Sequence, residues 1–356
     1  MEQTDKAKEL IDLLIQPAFC VRDGLITYTN YAASQRQISE GTAVTDLLET
    51  GSQEYEAYTD GSLYLTLNIA GAVSGATVTR TADGDIFLLE QEAEHAELNA
   101  MALAAQELRE PLASIMTVAD RLFPNMDTAD NQQYIAQINR GLFQMLRLVG
   151  NMTDAGLYHN RTINQFEMCN IPAIFDELFS KAADMVNGAN RQLKFTGIRQ
   201  AVYGLADRGK LERAVYNLLS NAIKFSPEGA TIEAKLTQNK DRLYFSIRDN
   251  GPGVPTKFRN AVFSRFLREP GIEDGRHGIG LGMVLVRSVA TMHGGTVLID
   301  QPEGVGTRVT MSIALRKNDS GIVRSGILRV DYAGERDHAL LELSDALPST
   351  LYSKIN

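Results

Sequence analysis

The chain has 356 residues, 44% of them hydrophobic and 22% charged, with a formal net charge of −9. Such a composition can bury a sizeable core and excludes global disorder, and an acidic balance offers no basic face to a nucleic-acid backbone. At about 150 residues per domain, the length suggests two or three domains. The two cysteines, Cys20 and Cys169, stand far apart and in no pair motif, which excludes a disulfide scaffold and a cysteine zinc cluster and fits a reducing compartment. The opening MEQTDKAKEL is polar, and the most apolar stretch, Leu63 to Val78, is broken by Thr66, Asn68, Ser74 and Thr77. Neither a signal peptide nor a membrane span is expected, and the location expected is cytoplasmic.

Residues 1–94 read as a small α+β domain. Asp23-Gly24 lies between the apolar runs Ala18–Val21 and Leu25–Tyr28, and Asp83-Gly84 lies between Ala76–Thr81 and Asp85–Leu89. Each is a hairpin signal, because glycine accepts positive φ at the turn. With Pro17, Val21, Asp23, Gly24, Ile26, Tyr28 and Asn30, this piece resembles the PAS sensor family. The resemblance implies a sensor role and names no ligand.

Residues 95–160 read as two long helices. Leu98, Met101, Ala105, Leu108, Leu112, Ile115, Ala119 and Leu122 alternate in steps of three and four, and Phe123-Pro124-Asn125 ends the run. Ile135, Ile138, Leu142, Met145, Val149 and Met152 repeat the pattern. These are a/d seams. A single hairpin covers two such seams poorly, so the periodicity predicts a homodimer whose hairpins form a four-helix bundle.

Residues 161–316 carry five segments that point to a nucleotide. In Leu211–Ser226, Asn217, Asn221 and Lys224 fall at i, i+4 and i+7 and share one helix face, opposite Val215, Leu218, Leu219, Ala222 and Ile223. Amide oxygens suit Mg²⁺ or its waters, and a lysine suits phosphate. In Leu243–Gly253, the alternating Leu243, Phe245 and Ile247 are continued by Asp249 on the same face. A carboxylate there needs a donor, which an adenine amino group can supply. Gly251 and Gly253 let the backbone approach a base. Phe263 to Arg268 precedes a polar stretch from Glu269 to His277 that reads as a lid. Gly278, Gly280, Leu281 and Gly282 open a helix whose N–H groups can face phosphate. Gly304-Val305-Gly306-Thr307 forms a turn before the last strand, Arg308–Ile313.

In this order the segments NLLSNAIKFS, DNGPGV, FSRFLR, GIGLGM and GVGT resemble the N, G1, F, G2 and G3 boxes of the histidine-kinase ATPase family. The resemblance implies a Bergerat-type α/β sandwich that binds Mg²⁺-ATP. It gives Asn221, with Asn217 beside it, to the metal-nucleotide, Lys224 to phosphate, Asp249 to adenine, and Gly278, Gly280 and Gly282 to the lid hinge. Hydrolases of the superfamily carry a general-base glutamate where this chain has Asn217, so phosphotransfer fits better than attack by water.

The first long helix contains Gln106-Glu107-Leu108-Arg109-Glu110-Pro111-Leu112. It resembles the phosphoacceptor box of dimeric histidine kinases, His-Glu-Leu-Arg-Thr/Asn-Pro-Leu, except at the reactive places. Gln106 stands at the nucleophilic histidine, and a carboxamide nitrogen is nearly non-nucleophilic. Glu107 matches the adjacent base but has no imidazole to polarise. Glu110 places a carboxylate where Thr or Asn would position water. Among the other histidines, His95 lies about 16 Å up the same helix; His159, His277 and His293 read as structural or surface residues.

The whole is expected to be a multidomain α+β protein. Its pieces are a PAS-like sensor over 1–94, a dimerisation hairpin with a degenerate acceptor box over 95–160, an ATP-binding catalytic domain over 161–316 and a tail over 317–356. In the tail, Gly326–Val330 is a possible strand and His338 to Leu347 a possible short helix. The function expected is that of a cytosolic sensor histidine kinase-like protein using ATP and Mg²⁺. A response regulator or partner kinase is its natural counterpart. Three readings stay open, the first two being phosphoryl transfer to a histidine other than the one missing at Gln106, and a pseudokinase that signals by conformation. A slow ATPase or a Ser/Thr kinase is the third.

Overall fold

The structure is a computed structural model. It describes residues 8, 11–123, 126, 128, 131–159, 165–255, 262–263, 280–302, 305–316 and 337–353, with the backbone alone for 92–99 and 157–159. The lid stretch Glu269 to His277, Gly278, Gly304, the possible strand Gly326–Val330 and the side chains of His95 and His159 lie outside the described residues.

The N-terminal unit is built from β1 (Ala18–Arg22), β2 (Leu25–Thr29), α1 (Tyr31–Gln35), β3 (Leu48–Thr50), α2 (Ser52–Ala57), β4 (Ser62–Ile69), β5 (Ala72–Thr81) and β6 (Gly84–Leu89). Asp23 and Gly24 both take positive φ, 52° and 77°, which matches the right-handed twist of the strands they join. Ala70 and Gly71, at φ 51° and 84°, make the same kind of turn between β4 and β5. The core of this unit stacks Phe19 on Phe87 at 4.7 Å.

Two helices follow, α3 (Glu92–Leu122) and α4 (Gln132–His159). The expected seams divide between two faces. Ala105, Leu112 and Ala119 of α3 and Ile135, Leu142 and Val149 of α4 are buried, joined inside by Ala102, Met116 and Leu146. Leu108, Ile115 and Leu122 stay 52%, 54% and 51% exposed, and so do Ile138 and Met145 at 51% and 46%. The cause is geometric: a and d positions point to either side of the stripe, and one antiparallel neighbour covers only one side.

The remaining elements are β7 (Glu167–Asn170), α5 (Ile171–Gly188), β8 (Gln192–Thr196), β9 (Tyr203–Ala206), α6 (Arg208–Phe225), β10 (Thr231–Asn239), β11 (Arg242–Arg248), α7 (Gly282–Met292), β12 (Val297–Asp300), β13 (Arg308–Ala314) and the short α8 (His338–Glu342). Strand β11 alternates as its sequence demands: Leu243, Phe245 and Ile247 are buried under the helices, and Phe245 lies 4.9 Å from Phe175 of α5. Burying one such ring contributes about 2 kcal/mol.

One feature escapes the sequence reading of separate domains. Eleven of the thirteen strands named above form one sheet in the order β2-β1-β6-β5-β4-β12-β13-β11-β10-β8, with β3 on β4, while β7 and β9 pair with each other apart from it. The junction is antiparallel and short: Ser62, Leu63 and Tyr64 of β4 face Ile299, Leu298 and Val297 of β12. Arg287 of α7 pairs with Glu90, Arg242 pairs with Glu54 at 3.0 Å, and the Tyr64 ring lies 5.6 Å from Phe263.

The tail departs from its expected form as well. Its helix ends at Glu342 instead of reaching Leu347, and Leu343 to Leu347 continue as turns. Asp337 caps it by accepting from the amides of Ala339 and Leu340. Leu341, Leu343, Leu347 and Tyr352 are buried, and the Tyr352 ring meets Phe143 of α4 edge-on at 5.4 Å. Asn139, Arg140 and Gln144 of α4 donate to tail carbonyls, Asn139 to that of Tyr352 and the other two to that of Ser344. Among the described residues no helix is long and apolar enough to cross a membrane.

Candidate nucleotide site

Asp249 sits immediately beyond β11 and is buried. Its Oδ1 accepts from the amides of Gly251, at 2.8 Å, and Thr307, at 3.1 Å. Burial pushes its carboxyl above the usual carboxylate range, and the amides of Gly251 and Thr307 oppose that rise. The turn that delivers Thr307 depends on Gly306. It has φ 73°, and a side chain there would strike the Asp249 carbonyl. A buried carboxylate oriented in this way can read a donor such as an exocyclic amino group.

Helix α6 supplies the polar face. Its N-terminus is capped by Asp207, whose Oδ1 accepts from the amide of Lys210. The Asp207 amide in turn donates to Nε2 of His293 at 3.1 Å, while Nδ1 of His293 donates to the carbonyl of Val289 at 2.7 Å. His293 thus ties the start of α6 to the end of α7. Burial pulls its pKa down to about 4.

Along α6, Asn217 is buried, Asn221 is half-exposed, and Lys224 lies near the C-terminus. Asn217 abuts the start of α7, where a side chain at Gly282 would come within 3.1 Å of its Oδ1. The C-terminal carbonyl of Phe225 in turn crowds Gly251, where a Cβ would come within 2.7 Å. The structure therefore brings Asn217 to Gly282 at the start of α7 and, two turns further along α6, gathers Phe225, Gly251, Asp249 and Thr307. Gly280, at φ 78°, and the buried Leu281 lead into α7 beside them. Gly253 is next to Gln301. Asn221 lies one turn beyond Asn217 and is partly exposed, and a carboxamide oxygen is a ligand type that Mg²⁺ accepts alongside waters and phosphate oxygens. Among the described residues no group of three or more His, Cys, Asp or Glu could hold a metal by itself.

Two expected contacts are already engaged. Oδ1 of Asn217 accepts from Nη2 of Arg147 in α4 at 3.2 Å, and its Nδ2 donates to the Arg213 carbonyl at 2.9 Å. Nζ of Lys224 is 3.3 Å from Oδ2 of Asp345 in the tail. Burial lowers the Lys224 pKa, and the Asp345 charge partly restores it. Arg147, Arg213, Glu342 and Asp345 were missed by the sequence reading. The available signal was a cation, Arg147, inside the apolar run of α4.

Gln106, Glu107 and Glu110 all lie exposed on α3. Among the described residues none of the three bonds to α6.

Residues 206–317 match the family model of the histidine kinase-, DNA gyrase B- and HSP90-like ATPases. The chain is 27% identical over 243 residues to histidine kinase P4 of Formosa agariphila, covering 65% of this chain and 18% of that protein. It is 31% identical over 228 residues to the histidine-protein kinase/phosphatase MprB of Mycolicibacterium vanbaalenii, covering 60% and 45%. The chain thus spans less than half the length of these relatives. A crystal structure of full-length ShkA in complex with AMPPNP superposes with a TM-score of 0.51 at 21% identity, over 62% of this chain and 46% of that one, a likeness of fold. The chain carries a histidine kinase-like ATPase domain, and the proteins it resembles include histidine kinases, a signal transduction histidine-protein kinase/phosphatase and a sensor histidine kinase.

Proposed function

We propose that this chain binds Mg²⁺-ATP between α6 and the loops after β11 and before β13, and that it works as a sensor-kinase-like protein of two-component signalling. The observation that carries the reading is the Asp249 carboxylate, buried beyond β11 and fixed by the amides of Gly251 and Thr307. Asp249 reads the adenine amino group. Asn221, assisted by Asn217, holds the metal-nucleotide, and Lys224 meets phosphate. Gly278, Gly280 and Gly282 carry the lid. The N-terminal unit serves as a PAS-like sensor, and the hairpin dimerises through the exposed half of each seam.

The phosphoryl group goes to a protein histidine other than position 106, where a glutamine side chain offers no nucleophile. Glu107 keeps the place of the adjacent base. The alternative, a pseudokinase that binds ATP and signals by conformation, is favoured by one observation: Asn217 and Lys224 are bonded to Arg147 and Asp345.

The test combines binding and transfer in the full chain. Titration with Mg²⁺-ATP gives binding to wild type and a loss of about 100-fold in Asp249→Asn, since a site built for a donor discriminates strongly once its acceptor is changed. With γ-labelled ATP, Gln106→His gains acid-labile, base-stable label that Asn221→Ala abolishes. Binding with no label in either wild type or Gln106→His favours the pseudokinase; no binding at all sinks both readings.

A further inference from the structure

The tail lies against α4 and α6 at the phosphate end of the polar face. Oδ2 of Asp345 receives Nη1 of Arg147 at 2.6 Å and Nζ of Lys224 at 3.3 Å. One cation comes from the hairpin and the other from α6, and both meet on a single carboxylate oxygen. A pair of cations converging on one oxygen is an anion site, and a phosphate oxygen has the charge and acceptor chemistry to take the same place. Asp345 itself is 24% exposed on its side chain, so this end of the tail opens to solvent. Its neighbour Glu342 is fully buried, with Arg147 at 3.6 Å and Arg213 at 3.3 Å. The tail is therefore anchored at Glu342 and by Leu341, Leu343 and Leu347, while Asp345 forms its outward corner. The hydroxyl of Ser344, fully buried, finds no hydrogen-bond partner among the described residues. A seam that leaves a buried hydroxyl unsatisfied is short of its best packing at this corner.

We propose that Asp345 is a stand-in for nucleotide phosphate, so that the tail and the polyphosphate of Mg²⁺-ATP compete for Lys224 and Arg147. The proposal rests on the ATP reading of the site. It adds Arg147, from the hairpin, as a second cation for phosphate and makes the Ser344–Ala346 corner an autoinhibitory contact. With the corner in place, Lys224 is neutralised and Arg147 is held on Asn217. When polyphosphate takes both cations, the corner lifts and the bonds from Arg140 and Gln144 to the Ser344 carbonyl break with it. Nucleotide binding is thereby transmitted to α4.

The experiment uses the full-length chain and Mg²⁺ with AMPPNP as the probe, titrated calorimetrically into wild type and Asp345→Asn. The variant is expected to bind about three- to tenfold more tightly, the scale of one partly exposed ion pair. In the wild type, saturating AMPPNP is expected to raise amide hydrogen exchange across Ser344–Ala346 while Leu341 and Leu347 stay protected. Equal affinities in two folded proteins that both bind would overturn the competition and leave the ATP reading standing. Absence of binding in both, with folding verified by circular dichroism, would overturn the ATP reading and the competition with it. Should Asp345→Asn fail to fold, the wild-type exchange decides alone: an unchanged corner at saturation sinks the proposal.

Discussion

Arg147 and Asn217 are joined by a hydrogen bond of 3.2 Å that crosses from the second hairpin helix to the helix bearing the candidate site. The same guanidinium reaches Ser220 at 3.3 Å, Asp345 at 2.6 Å and Glu342 at 3.6 Å. One buried side chain therefore connects hairpin, ATPase domain and tail. A rotation of α4 about its axis cannot leave Asn217 undisturbed, which gives the fold a route between helix geometry and site.

Arg147→Ala is expected to cost about 3 kcal/mol, because it leaves the buried Glu342 short of one of its two cations. Urea unfolding measures it. Adding Glu342→Gln to Arg147→Ala should recover part of the loss, since the undercompensated charge is then gone. A single-variant cost below about 1 kcal/mol would show that the network contributes little net stability.

His293 makes stability depend on pH in a stated direction. Its pKa is about 4 in the folded protein, against about 6.5 for an exposed histidine. Between these values the unfolded chain binds the additional proton, so stability is complete above about pH 6.5 and falls as pH drops toward 4. The loss amounts to at most about 3 kcal/mol at the acid end. Comparing urea midpoints at pH 7 and pH 5 for wild type and His293→Gln isolates this part. The variant should be less stable at pH 7 and flatter across the interval. Parallel slopes would contradict the assignment.

Much of this was legible in the residues. The helix face of Asn217, Asn221 and Lys224 and the strand face ending at Asp249 follow from periods of 3.6 and 2, which depend on local geometry alone. Asp23-Gly24 revealed its turn because positive φ has a residue signature. Ala70-Gly71 did not, because alanine rarely adopts φ of 51°. The β4–β12 junction and the Asp345 contacts were illegible for a different reason. Edge pairing carries no side-chain code beyond alternation, and an ion pair between residues 198 apart, such as Arg147 and Asp345, leaves no spacing to read. The seam misled in part, since heptads record which residues are apolar and not which neighbour covers them.

The sheet junction yields a sharper test. Gly61 precedes β4 with φ 97°, and a side chain there would strike the Ile299 carbonyl. Gly61→Ala should therefore part β4 from β12 at a cost of about 2 kcal/mol. Hydrogen exchange should quicken at Ser62–Tyr64 and Val297–Ile299 while β10 and β11 keep their protection. Uniform loss of protection would mean that the two halves unfold as one unit and that the junction is not a separable element.

The exposed half of the seam predicts how two copies meet. Leu108, Ile115 and Leu122 on α3 and Ile138 and Met145 on α4 are each about half exposed, all at heptad positions. Water against such a row is unfavourable by roughly 25 cal/mol for each Å² of apolar surface, so a second hairpin that covers it gains stability from every layer. Ile115→Glu places a charge in the middle layer, where desolvation opposes pairing. Sedimentation equilibrium should find wild type dimeric and Ile115→Glu shifted to monomer by at least about tenfold in dissociation constant, equivalent to about 1.4 kcal/mol. The buried seam residues are untouched, so the helical content seen by circular dichroism should remain. A wild type that stays monomeric at high concentration would refute the four-helix bundle and leave the row to another partner.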